Sequence, residues 1–287
     1  MKHKTAKERT TDLKKEWDSL YQYTKNDRHP VISFQCEKII NYFQIRLGQK
    51  IDCLLDVGPG HAGSEAWAFK DMIPNCKTLG FEPSEKRYEL LVKQNYPGLI
   101  YNKALTSKEG LIDCAAGHEE GKSDYKTCIS ENSIDLGFYK KTKVLSDTVD
   151  NVLKDTELKN IFLWADIEGA ELDMLHGAKK SLENKRIIGM NLELNFRSDY
   201  ISSNDCKYLD VIEFLSKYDY GLPLDTLQDF KSYVYEGIML TPDGHGAHTD
   251  CVFLPKHLGG VIPEVKYVDG KRKIKFNISE NTNENIL

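Results

Sequence analysis

The sequence predicts a doubly wound α/β fold, a mostly parallel sheet with helices on both faces. The first observation is local: an apolar run over 52–57 leads into a glycine-rich turn, and a helical pattern follows at 64–72. The second is global, because strand and helix patterns alternate from about Ile51 to Leu254 without a Pro/Ser-rich linker. Such alternation is typical of one core domain in which helices connect parallel strands and cover both faces of the sheet.

Each further element is predicted from hydrophobic periodicity and from the turn residues that bound it. After the first helix we expect a strand at 77–82, a helix at 84–95 and a strand at 99–104. Residues 105–147 are less regular, and they lie where a substrate lid could be placed. The remaining predicted elements are β-like pieces at 110–115 and 142–146, a strand from Asn160, a helix carrying Met174, Leu175, Ala178 and Leu182 on one face, a strand at 187–195, a helix at 206–217, and strands at 232–235 and 250–254.

The chain is predicted to have three regions. The first is a helical extension, the second is the core domain, and the third is a hairpin with an Asp-Gly turn followed by a polar tail that we expect to be disordered. The predicted regions are 1–48, with helices at 11–24 and 33–47, then 49–259, and then 260–287, with the hairpin at 265–276.

Composition limits the classes of protein that fit. With 287 residues, 40% of them apolar, and a mean hydropathy of -0.50, the chain suits a globular protein with a sizeable core. No apolar run approaches the roughly 20 residues that span a bilayer, so we expect no membrane insertion. A net charge of -5 argues against a nucleic-acid partner. The basic residues near both ends are expected to form solvated faces.

The cysteines and the N-terminus predict the compartment. Seven cysteines are an odd number, they are dispersed, and they form no Cys-x-x-Cys pair. This usage argues against a disulfide framework and a structural zinc site. Residues 1–5 lack the apolar stretch of a secretory signal. We therefore expect a cytoplasmic protein, and nothing in the sequence predicts its oligomeric state.

The glycine-rich turn has the spacing Gly58-x-Gly60-x-x-Gly63 and follows Asp56. Glycine is required where a turn takes backbone angles closed to other residues or where a cofactor approaches the main chain closely. The next strand ends at Glu82, where a carboxylate can accept hydrogen bonds from a ribose hydroxyl pair. The two strand ends together predict a site for a nucleoside cofactor.

The acid before the turn distinguishes between cofactors. A carboxylate at Asp56 disfavours the pyrophosphate of a dinucleotide, whereas it suits the sulfonium and ammonium groups of S-adenosylmethionine. Asp56 would face the amino-acid part, and Glu82 would bind the ribose. The alternatives are that Asp56 caps a backbone amide and that Glu82 is a solvated acid. The predicted cofactor-binding residues are Asp56, Gly58, Gly60, Gly63, Glu82, Pro83, Lys103, Ala104 and Asp166, with residues 102–104 flanking the adenine.

A second acidic motif follows the strand from Asn160. It contains Asp166, Glu168 and Glu171, and Glu171 is also explained by a favourable interaction with the helix dipole. Ligands in open α/β sheets bind beyond the carboxyl ends of the strands, so Asp166 and Glu168 should border the same crevice as Asp56.

These residues predict methyl transfer to oxygen. The sequence has no aromatic-Pro motif for nitrogen methylation, and a hydroxyl acceptor needs a general base. Asp166 and Glu168 are candidates because of their place, and His245 and His248 because histidine titrates near neutrality. The alternative for either histidine is a hydrogen-bonded loop residue without a catalytic role.

The same motifs resemble the FkbM family of S-adenosylmethionine-dependent methyltransferases. The resemblance covers roughly 50–195, and its most specific part is Asp166-Ile167-Glu168-Gly169-Ala170-Glu171. It implies a class I methyltransferase (Rossmann-like) fold and methylation of a hydroxyl on a sugar, a glycan or a natural product. The turn departs from the family pattern, because it has Pro59-Gly60 in place of Ala-Asn, which is closer to the general methyltransferase turn. It also departs from that general turn, whose third glycine is Ala62 here, with Gly63 next to it. The other matching segments are 55–58, 80–83, 145–150 and 175–178.

Two variants of this reading stay open. Asp166, Glu193 and Asn195 could supply oxygen ligands to Mg²⁺ at adjacent strand ends, which would lower the pKa of an acceptor hydroxyl. Alternatively, the chain could be a non-catalytic module that keeps the fold and binds a partner through its basic ends.

The acceptor is expected to lie between 105–147 and the Gly-His-Gly turn at 244–246. Variation in loops at this place changes which acceptor fits the site, while the cofactor site on the rigid sheet stays the same. The residues expected to contact a sugar ring are Tyr125, Phe138 and Tyr139, and Lys140 and Lys141 could meet an acidic substituent; the aromatic residues are equally explained as cover for the sheet edge.

Overall fold

The computed structural model describes residues 30–60, 63–117, 127–128, 139–167, 169–195, 208–223, 248–268 and 271–276. The predicted helix at 11–24, the predicted strand at 232–235 and the C-terminal tail lie outside these residues. In the described part of the chain, no helix is both long and apolar enough to cross a membrane.

The described residues form an eight-stranded central sheet. Its strands are β1 (Cys53–Val57), β2 (Lys77–Phe81), β3 (Leu99–Tyr101), β8 (Ile161–Ala165), β9 (Ile187–Asn195), β10 (Tyr220–Pro223), β11 (His248–Pro255) and β12 (Gly260–Val261). Their order across the sheet is β12-β10-β11-β9-β8-β1-β2-β3. Strands β9, β8, β1, β2 and β3 are parallel, whereas β11 is antiparallel to both of its neighbours and β12 is antiparallel to β10. The predicted doubly wound, mostly parallel sheet is confirmed.

Helices cover both faces of this sheet. Successive side chains of a strand point to opposite faces, so β1 sends Leu54 to one apolar cluster and Leu55 to another. The first face, with Leu54, Phe162 and Trp164, is covered by helix α1 (Pro30–Asn41), and we call it the α1 face. Helices α1 (Pro30–Asn41), α2 (Ser64–Met72) and α3 (Glu85–Lys93) pack on the α1 face, and α4 (Val149–Leu153), α5 (Glu171–His176), α6 (Lys179–Glu183) and α7 (Tyr208–Ser216) pack on the opposite face.

A second sheet has four strands, β4 (Ala104–Leu105), β5 (Gly110–Gly117), β6 (Thr127–Cys128) and β7 (Tyr139–Asp147). Their order across the sheet is β4-β7-β5-β6. The two β-like pieces predicted within 105–147 lie in β5 and β7, which are longer than expected and pair antiparallel with each other.

The predicted strand at 99–104 is wrong in its second half. Asn102 donates its side-chain amide to the carbonyl oxygens of Glu82 (2.9 Å) and Pro83 (3.1 Å), which turns the chain out of the central sheet. Lys103 then forms an ion pair with Asp147 at 2.9 Å. Ala104 therefore lies in β4, which pairs with β7 in the second sheet.

Three helices also differ from prediction. Helix α1 begins at Pro30, and residues 42–46 form a π-helical turn in place of its last turn. The helix predicted after Glu171 is two short helices, because Asp150 accepts hydrogen bonds from the backbone of Lys180 and Ser181 and starts a second helix there. Helix α7 is shorter than the predicted 206–217.

The C-terminal hairpin is confirmed as β13 (Pro263–Val268) and β14 (Lys271–Phe276), which pair antiparallel. Just before it, β12 adds to the central sheet beside β10. Strand β10 was missed by the sequence analysis, and β12 lies beyond the expected boundary at residue 259.

Candidate functional site

The strand order reverses its direction of growth between β1 and β8, which makes this pair the topological switch point of the sheet. The backbone N–H of Asp166 donates to the carbonyl oxygen of Val57 at 3.1 Å, so the two strand ends lie side by side. In open α/β sheets a crevice forms at this place and receives ligands. The structure thus brings Asp56 and Asp166 to the rim of one crevice.

The glycine turn after β1 fits this crevice closely. Gly58 has φ +79°, and a Cβ atom added there would lie 2.3 Å from the carbonyl oxygen of Asp166. Gly60 has φ +64°, but its Cβ would have no described heavy atom within 4 Å, so its open side faces space that a ligand can occupy. Gly63, with φ +56°, is the N-cap residue of α2. Each of the three predicted glycines therefore takes a left-handed conformation.

Asp56 is buried on the α1 face beneath the turn, with 1% of its surface exposed. The Tyr96 hydroxyl donates to its carboxylate at 2.7 Å. Burial raises the pKa of Asp56 to about 7, against the opposite effect of the Tyr96 hydrogen bond. Glu65, in the first turn of α2, has its pKa raised to about 8 by burial and by the charge of Asp56. Two acids held this close to each other favour a cationic ligand group beside them.

Asp56→Asn is expected to stabilise the protein at alkaline pH. The pKa of Asp56 is raised in the folded protein, so burial of this side chain costs no charge-related free energy at a pH below 3.8, the usual pKa of aspartate. The cost then grows as the pH rises to about 7. Asparagine keeps an acceptor for Tyr96 and removes the charge. We expect a gain of about 2–4 kcal/mol in unfolding free energy at pH 8, measured by denaturant titration. A smaller gain is expected at pH 5, and a gain that does not grow with pH would contradict this account.

Glu82 follows β2 and is also buried, with 1% of its surface exposed. Its carboxylate accepts hydrogen bonds from the backbone N–H groups of Ser84, at 2.8 Å, and of Gly60. Burial raises the pKa of Glu82 to about 7, while these hydrogen bonds and the charge of Arg87 act in the opposite direction. The second predicted acid is therefore tied directly to the glycine turn.

The residues after β3 form the neighbouring wall. Asn102 holds the backbone of Glu82 and Pro83, as described above, and the Lys103 ammonium is bound to Asp147. Asp147 also accepts hydrogen bonds from Asn151 and Thr148, and these interactions outweigh burial and lower its pKa. The wall is thus built from backbone and ion-pair contacts that connect the two sheets.

The acids after β8 have different surroundings. Asp166 is exposed at the strand end, whereas the placement of Glu168 lies outside the described residues. Glu171 is buried and accepts hydrogen bonds from the backbone N–H groups of Ile167 (3.2 Å) and Gly169 (3.3 Å). Burial raises the pKa of Glu171 to about 8, and the charge of Glu193 adds to the effect. Glu171 therefore shapes the turn after β8, a role that goes beyond the predicted interaction with the helix dipole.

The strand ends that carry the expected metal ligands lie at one edge of the sheet, and the backbone of His248 is at the same edge. Glu193 is half-buried, and Asn195 pairs with His248 in the β9–β11 ladder. The side chains of Asn195 and His248, and all of His245, are outside the described part. Among the residues that are described, no group of three or more His, Cys, Asp or Glu side chains is arranged to hold a metal ion.

The side chains that were expected to form a lid over the acceptor are outside the described residues. The backbones of Tyr139, Lys140 and Lys141 belong to β7, but their side chains are not described, and Tyr125 and Phe138 lie outside the described residues.

Besides Glu65, sequence reasoning missed three polar residues beside the crevice, Asp250, Asn191 and Gln35. Asp250 on β11 accepts hydrogen bonds from the amide groups of Asn191 (2.9 Å) and Gln35 (3.3 Å). The available signal was Asn191, a polar residue two positions before Glu193 within an apolar strand. The hydrogen-bond partner of Asn191 depends on the pairing of β11 with β9, and this pairing cannot be predicted from the sequence.

Comparison with known proteins identifies the family. Residues 56–222 match the family model described as the methyltransferase FkbM domain. The chain is also 25% identical over 184 residues to the 2-O-methyltransferase NoeI of Sinorhizobium fredii, an alignment that covers 59% of this chain and 73% of NoeI.

Solved structures with a similar fold include two methyltransferases. One is a TehB-like SAM-dependent methyltransferase from Corynebacterium glutamicum, with 9% identity, coverage of 86% of this chain and 98% of that chain, and a TM-score of 0.38. Another is the O-methyltransferase from a trans-AT PKS multienzyme of Brevibacillus brevis, solved with S-adenosyl-L-homocysteine, with 13% identity, coverage of 77% and 72%, and a TM-score of 0.38. The strand order of the central sheet and the family match together identify the class I methyltransferase fold.

The family match covers more than half of the chain and includes both the glycine turn and the acidic motif after β8. The chain belongs to the FkbM methyltransferase family, and it is an S-adenosylmethionine-dependent methyltransferase with the class I fold.

Proposed function

We propose that this methyltransferase transfers a methyl group to a hydroxyl oxygen of a sugar, a glycan or a natural product. The proposal is supported by the row of acids beyond the glycine turn, where Asp166 directly follows β8 and Glu193 lies near the end of the neighbouring strand β9. Carboxylates at this place can orient a hydroxyl and accept its proton. The relative NoeI is named a 2-O-methyltransferase, which supports an oxygen acceptor.

The described residues fit S-adenosylmethionine at the switch point. Gly60 leaves open space where a side chain would project, so a ligand can approach its backbone. Glu82, buried under this turn, can receive two ribose hydroxyls in place of backbone donors. Asp56 and Glu65 supply negative charge for the ammonium and sulfonium groups. Gly58, Gly63 and Pro83 would shape the pocket, and Lys103 and Ala104 would flank the adenine.

When bound, the cofactor supplies an electrophilic methyl group on a sulfonium. The protein has to align the acceptor oxygen with the sulfur–methyl bond, because methyl transfer is an in-line displacement and positioning supplies much of the rate. It must also take the hydroxyl proton. Asp166, Glu168, His245 and His248 stay the candidates for this base.

Substitution of the base is expected to lower turnover by about 100-fold or more, the usual contribution of general-base catalysis. We would compare Asp166→Asn, Glu168→Gln, His245→Ala and His248→Ala under saturating cofactor. The matched control is Asp155→Asn, an exposed acid that lies before β8, at the opposite end of the sheet. A loss of less than about threefold in all four variants would remove the support for this set of bases.

We expect turnover to survive exhaustive chelation, because acids at strand ends can serve an acceptor hydroxyl directly. The measurement is the initial rate before and after treatment with a chelator. If activity falls about tenfold and Mg²⁺ restores it, the metal-assisted route through Asp166, Glu193 and Asn195 replaces the metal-free one.

The experiment that tests the proposed function is a screen of sugar, glycan and polyketide acceptors with S-adenosylmethionine labelled in its methyl group. The expected product carries the label on oxygen and releases it only under ether-cleaving conditions. Label found on nitrogen or carbon would contradict the proposal.

A further inference from the structure

Three acids form a row along the carboxyl edge of the sheet, on the acceptor side of the switch point. In the β9–β11 ladder Asp250 is directly opposite Glu193. In the β8–β9 ladder Ala165 is opposite Leu192, so Asp166 follows level with Glu193. Trp164 lies on the α1 face, and it is paired with Asn191, which is paired with Val252. Side chains two positions apart along a strand share a face, so Asp166, Glu193 and Asp250 lie on the α1 face as well. The row therefore lines one side of the crevice.

Asp250 is held in place by two amide groups from different elements. Asn191, with 2% of its surface exposed, donates Nδ2 to one carboxylate oxygen at 2.9 Å. Gln35, from α1, donates Nε2 to the other oxygen at 3.3 Å. A buried amide in an apolar sheet is unfavourable unless it is hydrogen-bonded, so Asn191 is best explained by its bond to Asp250. The carboxylate is thereby oriented before any ligand arrives.

Gln35 provides a second and independent observation. Its Oε1 atom is buried and has no hydrogen-bond partner among the described residues. Buried acceptors without a partner are rare in native structures, and a ligand donor is one way to satisfy them. The Gln35 carbonyl and the Asp250 carboxylate are neighbouring acceptors, which together match two donors such as a pair of adjacent hydroxyl groups.

The charge around this place restricts the ligand further. Asp250, Asp56 and Glu65 all raise the pKa of the Cys36 thiol, after the larger effect of its burial, so the three acids surround one position on α1. Asp166 and Glu193 add negative charge along the edge. An anionic group would be repelled here, whereas hydroxyl and ammonium groups would be favoured.

We propose that Asp250 and Gln35 bind two adjacent hydroxyl groups of the acceptor, close to the hydroxyl that is methylated, and that Asn191 positions Asp250. The acceptor is then neutral or cationic at these groups, and it is a polyol. This inference rests on the proposed function, because it assigns residues to the acceptor of that reaction. It adds Asp250, Gln35 and Asn191 to the site.

The test uses the full chain saturated with S-adenosylhomocysteine and three probes: methyl glucopyranoside, its 2-amino-2-deoxy analogue, and methyl glucuronide. Binding is measured by saturation-transfer NMR. We expect the neutral and amino sugars to bind, the glucuronide to bind at least about fivefold more weakly, and Asp250→Ala to weaken binding of the first two about tenfold. Asp155→Asn is the matched control and should bind like the wild type.

The positioning role of Asn191 has its own readout. Asn191→Leu should weaken sugar binding while the affinity for S-adenosylhomocysteine stays within about twofold and the melting temperature does not fall. If this variant does not fold, Gln35→Ala, at a half-buried position, tests the hydrogen bond to Asp250 and the direct contact with the sugar together. Unchanged sugar binding in Asp250→Ala, equal binding of the glucuronide, or no binding of either neutral or amino sugar would overturn the inference. Failure to bind S-adenosylhomocysteine would instead overturn the cofactor site.

Discussion

Glu82→Ala is expected to weaken cofactor binding at least tenfold. The wild-type carboxylate would accept both ribose hydroxyls in charge-assisted hydrogen bonds, which contribute about 1.5–3 kcal/mol each. Alanine removes both acceptors and leaves the backbone N–H groups of Ser84 and Gly60 without their present partner. The turn that carries Gly60 should then lose part of its order as well.

The measurement is calorimetric titration with S-adenosylhomocysteine at pH 8. Burial raises the pKa of Glu82 to about 7, so at this pH the wild-type side chain is ionised. Glu89→Ala is the matched control, because Glu89 is an exposed acid on α3. A change of less than about threefold in Glu82→Ala, or an equal change in the control, would show that Glu82 does not bind the ribose.

Gly58→Ala is expected to destabilise the fold by about 3 kcal/mol or more. A side chain at φ +79° is strained, which typically costs about 1–3 kcal/mol. In addition, the new Cβ would lie 2.3 Å from the carbonyl oxygen of Asp166, so β1 and β8 could not keep their present separation. Both effects act at the switch point, and we expect the cofactor affinity to fall together with stability.

Gly60→Ala is the matched control for this substitution. Gly60 has φ +64°, and its Cβ would meet no described atom within 4 Å, so only the strain remains. We expect a loss of about 1 kcal/mol in unfolding free energy. Denaturant unfolding of the two variants makes the comparison, and equal losses would mean that the close approach of Gly58 to Asp166 is unimportant.

The part of the fold that could be predicted from sequence is the part with local signals. The apolar run of β1, the glycine turn and the start of α2 follow each other within a dozen residues. The end of β3 could not be predicted, because it depends on the Asn102 amide and on an ion pair between Lys103 and Asp147, 44 residues away. Only the folded chain brings these groups together.

Strand β10 shows a second limit. Its sequence, Tyr220-Gly221-Leu222-Pro223, contains the two residues most typical of turns. In the structure Gly221 allows a close approach, since a Cβ there would lie 2.1 Å from the carbonyl oxygen of Val261. The glycine is therefore required by the neighbouring chain, and its own sequence context does not reveal this.

The residues of the candidate site also fall into those that could be predicted from the sequence and those that could not. Asp56, Glu82 and Asp166 were predicted because each lies at or just after the end of an apolar strand, and parallel strands bring their carboxyl ends to one edge. Asp250 was missed because β11 runs antiparallel, so the relevant residue lies near its beginning. Glu65 was missed because an acid in the first turn of a helix is ordinary, and only the folded structure places it beside Asp56.

A crystal structure of the complex with S-adenosylhomocysteine would test the proposed cofactor site. We expect the nucleoside to lie across the carboxyl ends of β1 and β2, with both ribose hydroxyls within hydrogen-bond distance of the Glu82 carboxylate and the amino-acid part next to Asp56. A nucleoside bound elsewhere, or a Glu82 carboxylate that still contacts only the backbone of Ser84 and Gly60, would contradict it.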